Sequence, residues 1–201
     1  LSASQLSRPQ SMCFPTGDDE VAHAFFYPPA NANYRGEPGA LPPLVVFTHG
    51  GPTSASYPVF DPRIQYWTQR GFAVVDVNYR GSSGFGRLYR QRLREQWGIV
   101  DVEDACQAAL ALVKQGAVDP QRLFIRGSSA GGFTALSALA ATALFRGGAS
   151  LYGVSDPLAL RRVTHKFEGD YLDWLIGDPQ QVPERFRERA PLHNADRIGA
   201  P

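Results

Sequence analysis

Gly127-Ser128-Ser129-Ala130-Gly131 sets a serine hydroxyl between two glycines in the pattern G-x-S-x-G. A serine so placed can attack a carbonyl carbon and carry the acyl group as a covalent intermediate. The flanks give the motif its weight. Residues 123–126 form an apolar run long enough for one strand, and from Ala130 onward come small, helix-forming, almost uncharged residues. Strand, sharp turn and helix is the context of a nucleophile elbow. Such a turn strains the serine backbone, and side chains two before and two after would strike the neighbouring strand and helix. Gly127 and Gly131 have no Cβ to strike with. Ser129 is therefore expected to stand clear of the sheet at the amino end of a helix. There the N–H of Ala130 would face a developing oxyanion, and the helix dipole favours negative charge. The blander reading is a Ser/Gly turn before a core helix; the preceding strand, the extra Gly132 and the helix behind favour the elbow.

A tetrahedral intermediate needs two donors aimed at its oxygen. In α/β-hydrolases the second donor comes from a turn after the third strand, where H-G-G sequences occur. His49-Gly50-Gly51 follows the apolar run 44–48 and fits that place. Gly51 N–H is the candidate donor, because glycine lets the backbone approach a substrate closely. For His49, a packed side chain supporting the loop and a direct chemical role both stay open.

These residues need elements to hold them. Residues 11–16 and 21–27 read as a strand pair joined by Thr16-Gly17-Asp18-Asp19-Glu20. A Pro/Gly/Asn-rich connection covers 28–43. The run 44–48 and residues 72–77 read as buried strands, and 149–152 as a further short one. Helical spacing appears over 60–69 and over 99–115. In the second, Val102, Ala105, Cys106, Ala109, Leu110, Leu112 and Val113 form the expected inner face. Residues 157–163 and 183–190 read as short helices. Alternating strands and helices imply a mainly parallel sheet with helices on both faces, and chemistry beyond the carboxyl ends of its strands. Three glycine-rich turns follow strands in that way, over 49–52, 80–86 and 127–132, so they should converge on one edge.

The chain has 201 residues and a formal net charge of +1, which suits one domain and gives no pull toward nucleic acid or an anionic membrane. Arg87, Arg90, Arg92 and Arg94 read as a solvated helix face. No run approaches a membrane span. Cys13 and Cys106 are expected to be buried free thiols, in a reducing, cytoplasmic compartment. Metal-ligand spacing and phosphate loops are lacking, so no metal and no cofactor are expected. Residues 1–10 read as a linker or arm, and residue 1, which is not Met, as a cut.

With His49-Gly50-Gly51-Pro52, Asn78-Tyr79-Arg80-Gly81-Ser82-Ser83-Gly84-Phe85-Gly86, Trp97-Gly98 and Gly127-Ser128-Ser129-Ala130-Gly131-Gly132 in this order, the chain resembles the catalytic domain of the prolyl oligopeptidase family of serine peptidases. The resemblance is to its acylaminoacyl-peptidase and dipeptidyl-aminopeptidase-like branch, and it runs over 11–201. Further matches are Thr164-His165-Lys166-Phe167-Glu168, Tyr171-Leu172-Asp173, Leu175-Ile176-Gly177 and the stretch 190–198. It implies an α/β-hydrolase fold, a peptide substrate, the nucleophile on Ser129, and oxyanion donors on the amides of Ala130 and Gly51. Where some relatives carry a Tyr hydroxyl donor this chain has His49, so backbone donors alone are implied. Arg80 is expected to organise its turn by bonding carbonyls.

A serine hydroxyl needs a base. In α/β-hydrolases the order is Ser, then Asp or Glu, then His. After Ser129 come His165 and His193, and neither matches the family's catalytic His. Asp156, Asp173 and Asp178 sit where capping is the expected job. Glu168, Tyr171 and Trp174 are candidates for the border of a substrate site. The resemblance places the triad Asp and His beyond Pro201, making this a partial, peptidase-type α/β-hydrolase domain. Its missing strands would be supplied by a further segment or by a homo-oligomer partner. The competing readings are a carboxylesterase-type α/β-hydrolase and a non-catalytic binding module.

Overall fold

A computed structural model describes residues 5–164 and 169–201. Among these, six strands make one sheet: β1 (Gln10–Pro15), β2 (Val21–Tyr27), β3 (Leu44–Thr48), β4 (Ala73–Asn78), β5 (Leu123–Ser128) and β6 (Gly147–Leu151), in the order β1-β2-β4-β3-β5-β6. The pairs β4–β3, β3–β5 and β5–β6 are parallel, while β1–β2 and β2–β4 are antiparallel. The sheet is thus parallel across four strands, with an antiparallel hairpin on one edge. On the other edge Gly148 N–H, in β6, donates to the Pro201 carbonyl at 2.9 Å.

The strand β3 is Leu-Val-Val-Phe-Thr, and all five residues are buried. Its apolar side chains alternate between two cores, which is why no polar alternation marks it in the sequence. Val45 and Phe47 pack with Ile64 of α1 (Pro62–Thr68) on one face. Leu44 and Val46 pack on the other, with α3 (Val100–Lys114) and α4 (Ala130–Ala141). Helix α1 starts because Asp61 accepts the Arg63 N–H and Pro62 occupies the first turn, where no amide bond is lost. The arm expected over 1–10 is docked at Ser7: its N–H donates to Gln65 Oε1 at 2.9 Å and Gln65 Nε2 returns a bond to its carbonyl.

The remaining helices among the described residues are α2 (Arg87–Gln91), α5 (Pro157–Val163), α6 (Gly169–Ile176), α7 (Pro183–Arg189) and two 3₁₀ segments, Gly17–Asp19 and Pro191–Arg197. They differ from the sequence expectations in three places. Helix α6 was not foreseen, and the helix face expected from Arg87, Arg90, Arg92 and Arg94 shrinks to the five residues of α2, with Arg87 and Arg90 exposed on it and Arg92 and Arg94 past its last residue. The inner face of α3 holds Val102, Ala105, Ala109 and Leu112 as expected, but it is wider, taking in Val100, Asp101, Asp104 and Ala108, whereas Leu110 is exposed. Cys13 lies exposed on β1, one residue out of phase with buried Phe14, and Cys106 is half-buried; both are free thiols.

Candidate active site

Strand β5 ends at Ser128 and α4 begins at Ala130, so a single residue, Ser129, makes the whole turn. It does so at φ 55 and ψ −122, a conformation L residues avoid. Two tight contacts force it. A Cβ at Gly127 would lie 2.2 Å from the Gly131 carbonyl oxygen, and one at Gly131 would lie 2.1 Å from the Thr48 carbonyl oxygen. Helix, β5 and β3 therefore meet backbone to backbone. The Thr48 hydroxyl bridges them, 2.8 Å from Gly131 O and 3.2 Å from Arg126 O. Ser129 itself is exposed. Its N–H donates to Leu151 O of β6, and its carbonyl takes the Phe133 N–H. The first-turn amide of Ala130 has no acceptor within the helix.

The loop after β3 folds onto this elbow. Gly50 rests against it: a Cβ there would sit 3.5 Å from Ser129 Cβ. Gly51 takes φ +123, and a Cβ on it would meet Ser54 N at 2.7 Å, so the turn accepts glycine alone. Among the described residues no acceptor takes the Gly51 N–H. His49 stacks on Tyr79 at 4.3 Å between ring centroids. Its Nδ1 lies 2.7 Å from Gly50 O and its Nε2 2.7 Å from Ser82 Oγ. Burial pushes the imidazole down to about 4, with the Gly50 carbonyl pulling the other way. A neutral ring that donates from Nδ1 and accepts the Ser82 hydroxyl at Nε2 satisfies both bonds. Both ring nitrogens are thus engaged, one by the loop's own carbonyl and the other by Ser82, so His49 pins the loop.

Ser82 belongs to the third glycine-rich turn, and so does Arg80. Arg80 is buried, and it bonds carboxylates where carbonyls were expected. Its Nε lies 3.0 Å from Asp104 Oδ1, its second terminal nitrogen pairs with Asp104 and Glu103, and its own N–H donates to Asp104 Oδ2 at 2.6 Å. A carbonyl contact remains, to Gly17 at 3.5 Å. Ser83 Oγ donates to Thr53 O, and Ser83 N–H to Ser54 O at 2.8 Å. The three turns thus converge on one edge, joined by His49–Ser82 and Ser83–Thr53.

Beneath α4 lies a pair that the sequence reading passed over. Asp101 is fully buried and accepts Thr134 Oγ1–H and Gly98 N–H, each at 2.6 Å. Burial raises its carboxyl to about 6, with those two bonds opposing. The signal was an Asp one position before an expected inner residue of α3, and a Thr one turn after Ala130.

Of the two candidate bases, only His193 lies among the described residues. His193 is exposed on the second 3₁₀ segment, and His165, with the rest of 165–168, lies outside the described residues. Among the described residues no imidazole or carboxylate bonds the Ser129 hydroxyl. Asp156 caps α5 by accepting the N–H groups of Leu158 and Ala159, and Asp178 accepts Gln180 N–H. Asp173 sits inside α6 and pairs with Arg161 at 2.8 Å, where capping had been expected. Tyr171 and Trp174, also on α6, are half-buried, and Tyr171 reaches the Gly51 loop.

Residues 58–201 match the model of the prolyl oligopeptidase family. The chain belongs to that family. It is 32% identical over 178 residues to a dipeptidyl aminopeptidase BIII of Pseudoxanthomonas mexicana, covering 86% of this chain and 26% of that protein. It is 29% identical to an acylamino-acid-releasing enzyme of Arabidopsis thaliana, covering 82% and 23%. Among solved structures, a puromycin hydrolase superposes with a TM-score of 0.97 at 47% identity, over 100% of this chain and 31% of that one. A Pyrococcus horikoshii acylaminoacyl peptidase gives 0.86 at 27% identity, over 97% and 31%. The chain therefore spans 23–31% of the lengths of these family members, and its α/β-hydrolase fold is theirs.

Proposed function

We propose that the protein containing this chain is a serine peptidase that cleaves peptide bonds through an acyl-enzyme on Ser129. The observation that carries the reading is the geometry of that residue: exposed, strained at φ 55, and alone between β5 and the first amide of α4. Attack by its oxygen on a carbonyl carbon leaves an oxyanion within reach of the elbow. The Ala130 and Gly51 amides are assigned as its donors. The helix dipole of α4 adds favourable potential at the same point. No described imidazole reaches Ser129, so the general base is assigned to a residue outside the described ones, with an acid to orient it.

Family membership supports peptide over ester substrates, as do relatives named for peptidase activity. The names of the similar structures make puromycin a reasonable first substrate to try beside aminoacyl and acylaminoacyl anilides. In the full-length protein Ser129→Ala should abolish anilide hydrolysis, and a variant that still cleaves would overturn the assignment. Faster turnover of simple acyl esters than of any anilide would move the reading to a carboxylesterase. The 201-residue chain taken alone should react only slowly with a fluorophosphonate, because loss of a triad member costs several orders of magnitude. Rapid stoichiometric labelling would contradict that.

A further inference from the structure

Two amides can share one oxyanion only if their spacing is fixed, and they come here from separate parts of the chain. Ala130 is fixed by α4. Gly51 sits in a loop whose next residue, Pro52, has no N–H. The next amide is that of Thr53, and it donates to the Tyr171 hydroxyl at 3.3 Å. Thr53 Oγ1 and the same hydroxyl are 2.7 Å apart, and the Gly51 carbonyl lies 3.5 Å from it. A phenol has one proton to give. With that proton toward the Gly51 carbonyl, the hydroxyl accepts from both Thr53 N–H and Thr53 Oγ1–H, so one oxygen clamps both polar groups of the residue two after Gly51. Tyr171 stands on α6, and α6 reaches the other donor too. Leu172, Leu175 and Ile176 pack into the cluster that contains Ala130 and Phe133 of α4. Backbone bonds from Glu95 N–H to Trp174 O and from Trp97 N–H to Leu175 O hold the far side of the helix.

We infer that Tyr171 is a positioning residue: through Thr53 it sets the Gly51 amide against the Ala130 amide, with α6 as the common support of both. This rests on the serine-peptidase reading above. The hydroxyl touches the loop and takes no part in bond making, so its removal should weaken stabilisation of the oxyanion and leave substrate binding intact.

The experiment uses the full-length protein and an anilide that it cleaves. Tyr171→Phe keeps the ring and removes the bond; it should lower kcat roughly tenfold, the weight of one hydrogen bond, with KM unchanged. A peptide aldehyde, which forms a tetrahedral adduct on the serine, should bind Tyr171→Phe more weakly by the same factor. The cleaved peptide acid should bind as before. Thr53→Val should act in the same direction, and the double variant should lose little more than Tyr171→Phe alone. Wild-type kcat in Tyr171→Phe, or losses that multiply in the double variant, would overturn the inference. So would an aldehyde affinity that does not follow kcat. If Tyr171→Phe does not fold, Thr53→Val against the aldehyde still decides. Ser129→Ala is run alongside: if it keeps activity, the serine reading falls, whereas an inactive Ser129→Ala beside a normal Tyr171→Phe sinks this inference alone.

Discussion

Gly131→Ala, made in the protein that contains this chain, should cost stability even though alanine is the better helix former. Position 131 lies in the first turn of α4, and in an open helix the change would gain about 1 kcal/mol. Here the new Cβ would lie 2.1 Å from Thr48 O and 2.7 Å from His49 O. Both atoms are backbone at the end of β3, so no side chain can swing aside. Relief requires α4 and β3 to part, at an overpacking cost near the upper end of about 1–3 kcal/mol. Parting them also stretches the 2.8 Å bond from Thr48 Oγ1 to Gly131 O, a loss of about 1 kcal/mol. Set against the helix gain, the net is about 3 kcal/mol, or roughly 6–12 °C in melting temperature for a domain of this size. Gly36→Ala is the control, because a Cβ there meets nothing within 4 Å. It should be neutral or slightly stabilising, by up to about 1 kcal/mol. Thermal and urea melts of both variants are the assay. A Gly131→Ala protein that melts at or above the parent refutes the claim that backbone contact holds the elbow.

Ser129→Gly should do the reverse, removing strain of about 1–3 kcal/mol at φ 55 against a glycine entropy cost of about 0.5–1 kcal/mol. The variant should be inactive and about 1 kcal/mol more stable by urea midpoint; a less stable one would show that the turn is unstrained. Arg80→Ala leaves the buried Asp104 carboxylate without its guanidinium and should cost about 3–5 kcal/mol. Arg80→Lys should fall between, since a point charge cannot reproduce the forked pairing; a silent Arg80→Ala melt would remove the network from the stability argument. His49 gives a pH dependence. Its folded value of about 4 lies below the ordinary 6.5, so the folded state binds fewer protons between them. Its contribution is present above pH 6.5 and lost on acidification toward 4, on the order of 3 kcal/mol in all. Asp101, raised to about 6, works in the opposite direction and gains stability as pH falls below that value. Subtracting the pH profile of a His49→Asn variant isolates the imidazole, and NMR showing His49 protonated at pH 6 would contradict the assignment.

Strands were legible where packing made them so. The buried runs at β3 and β4 and the alternating β2 have no competing reading, and the glycines around Ser129 announced the tight contact that the structure places there. Expectation failed where polar residues face inward. Asp101 and Asp104 occupy buried positions on α3, so a stripe drawn through apolar residues alone found Val102, Ala105, Ala109 and Leu112 but missed that side of the face and put Leu110 inside. Helix α2 is five residues of Arg-Leu-Tyr-Arg-Gln, so only the solvated arginine face showed it and not where it stops. Helix α6 carried a signal in Leu172, Leu175 and Ile176 before Gly177, but without its neighbours the run also suits a loop. The pins His49–Ser82 and Tyr171–Thr53 join residues 33 and 118 apart, and no local pattern encodes such pairs.

The strand order has a consequence for the chain as it is made. β3, which leads into the Gly51 loop, is flanked by β4 on one side and β5 on the other. The first neighbour follows it closely, but the second ends at Ser128, 80 residues after Thr48. At ribosomal speeds of about 5–20 residues per second, one edge of a strand that ends up wholly buried stays unpaired for roughly 4–16 s. The early hairpin covers the outer edge of β4 and leaves that inner edge open. Until the elbow strand emerges, the edge most prone to pair with another chain is the one that will later support the oxyanion loop.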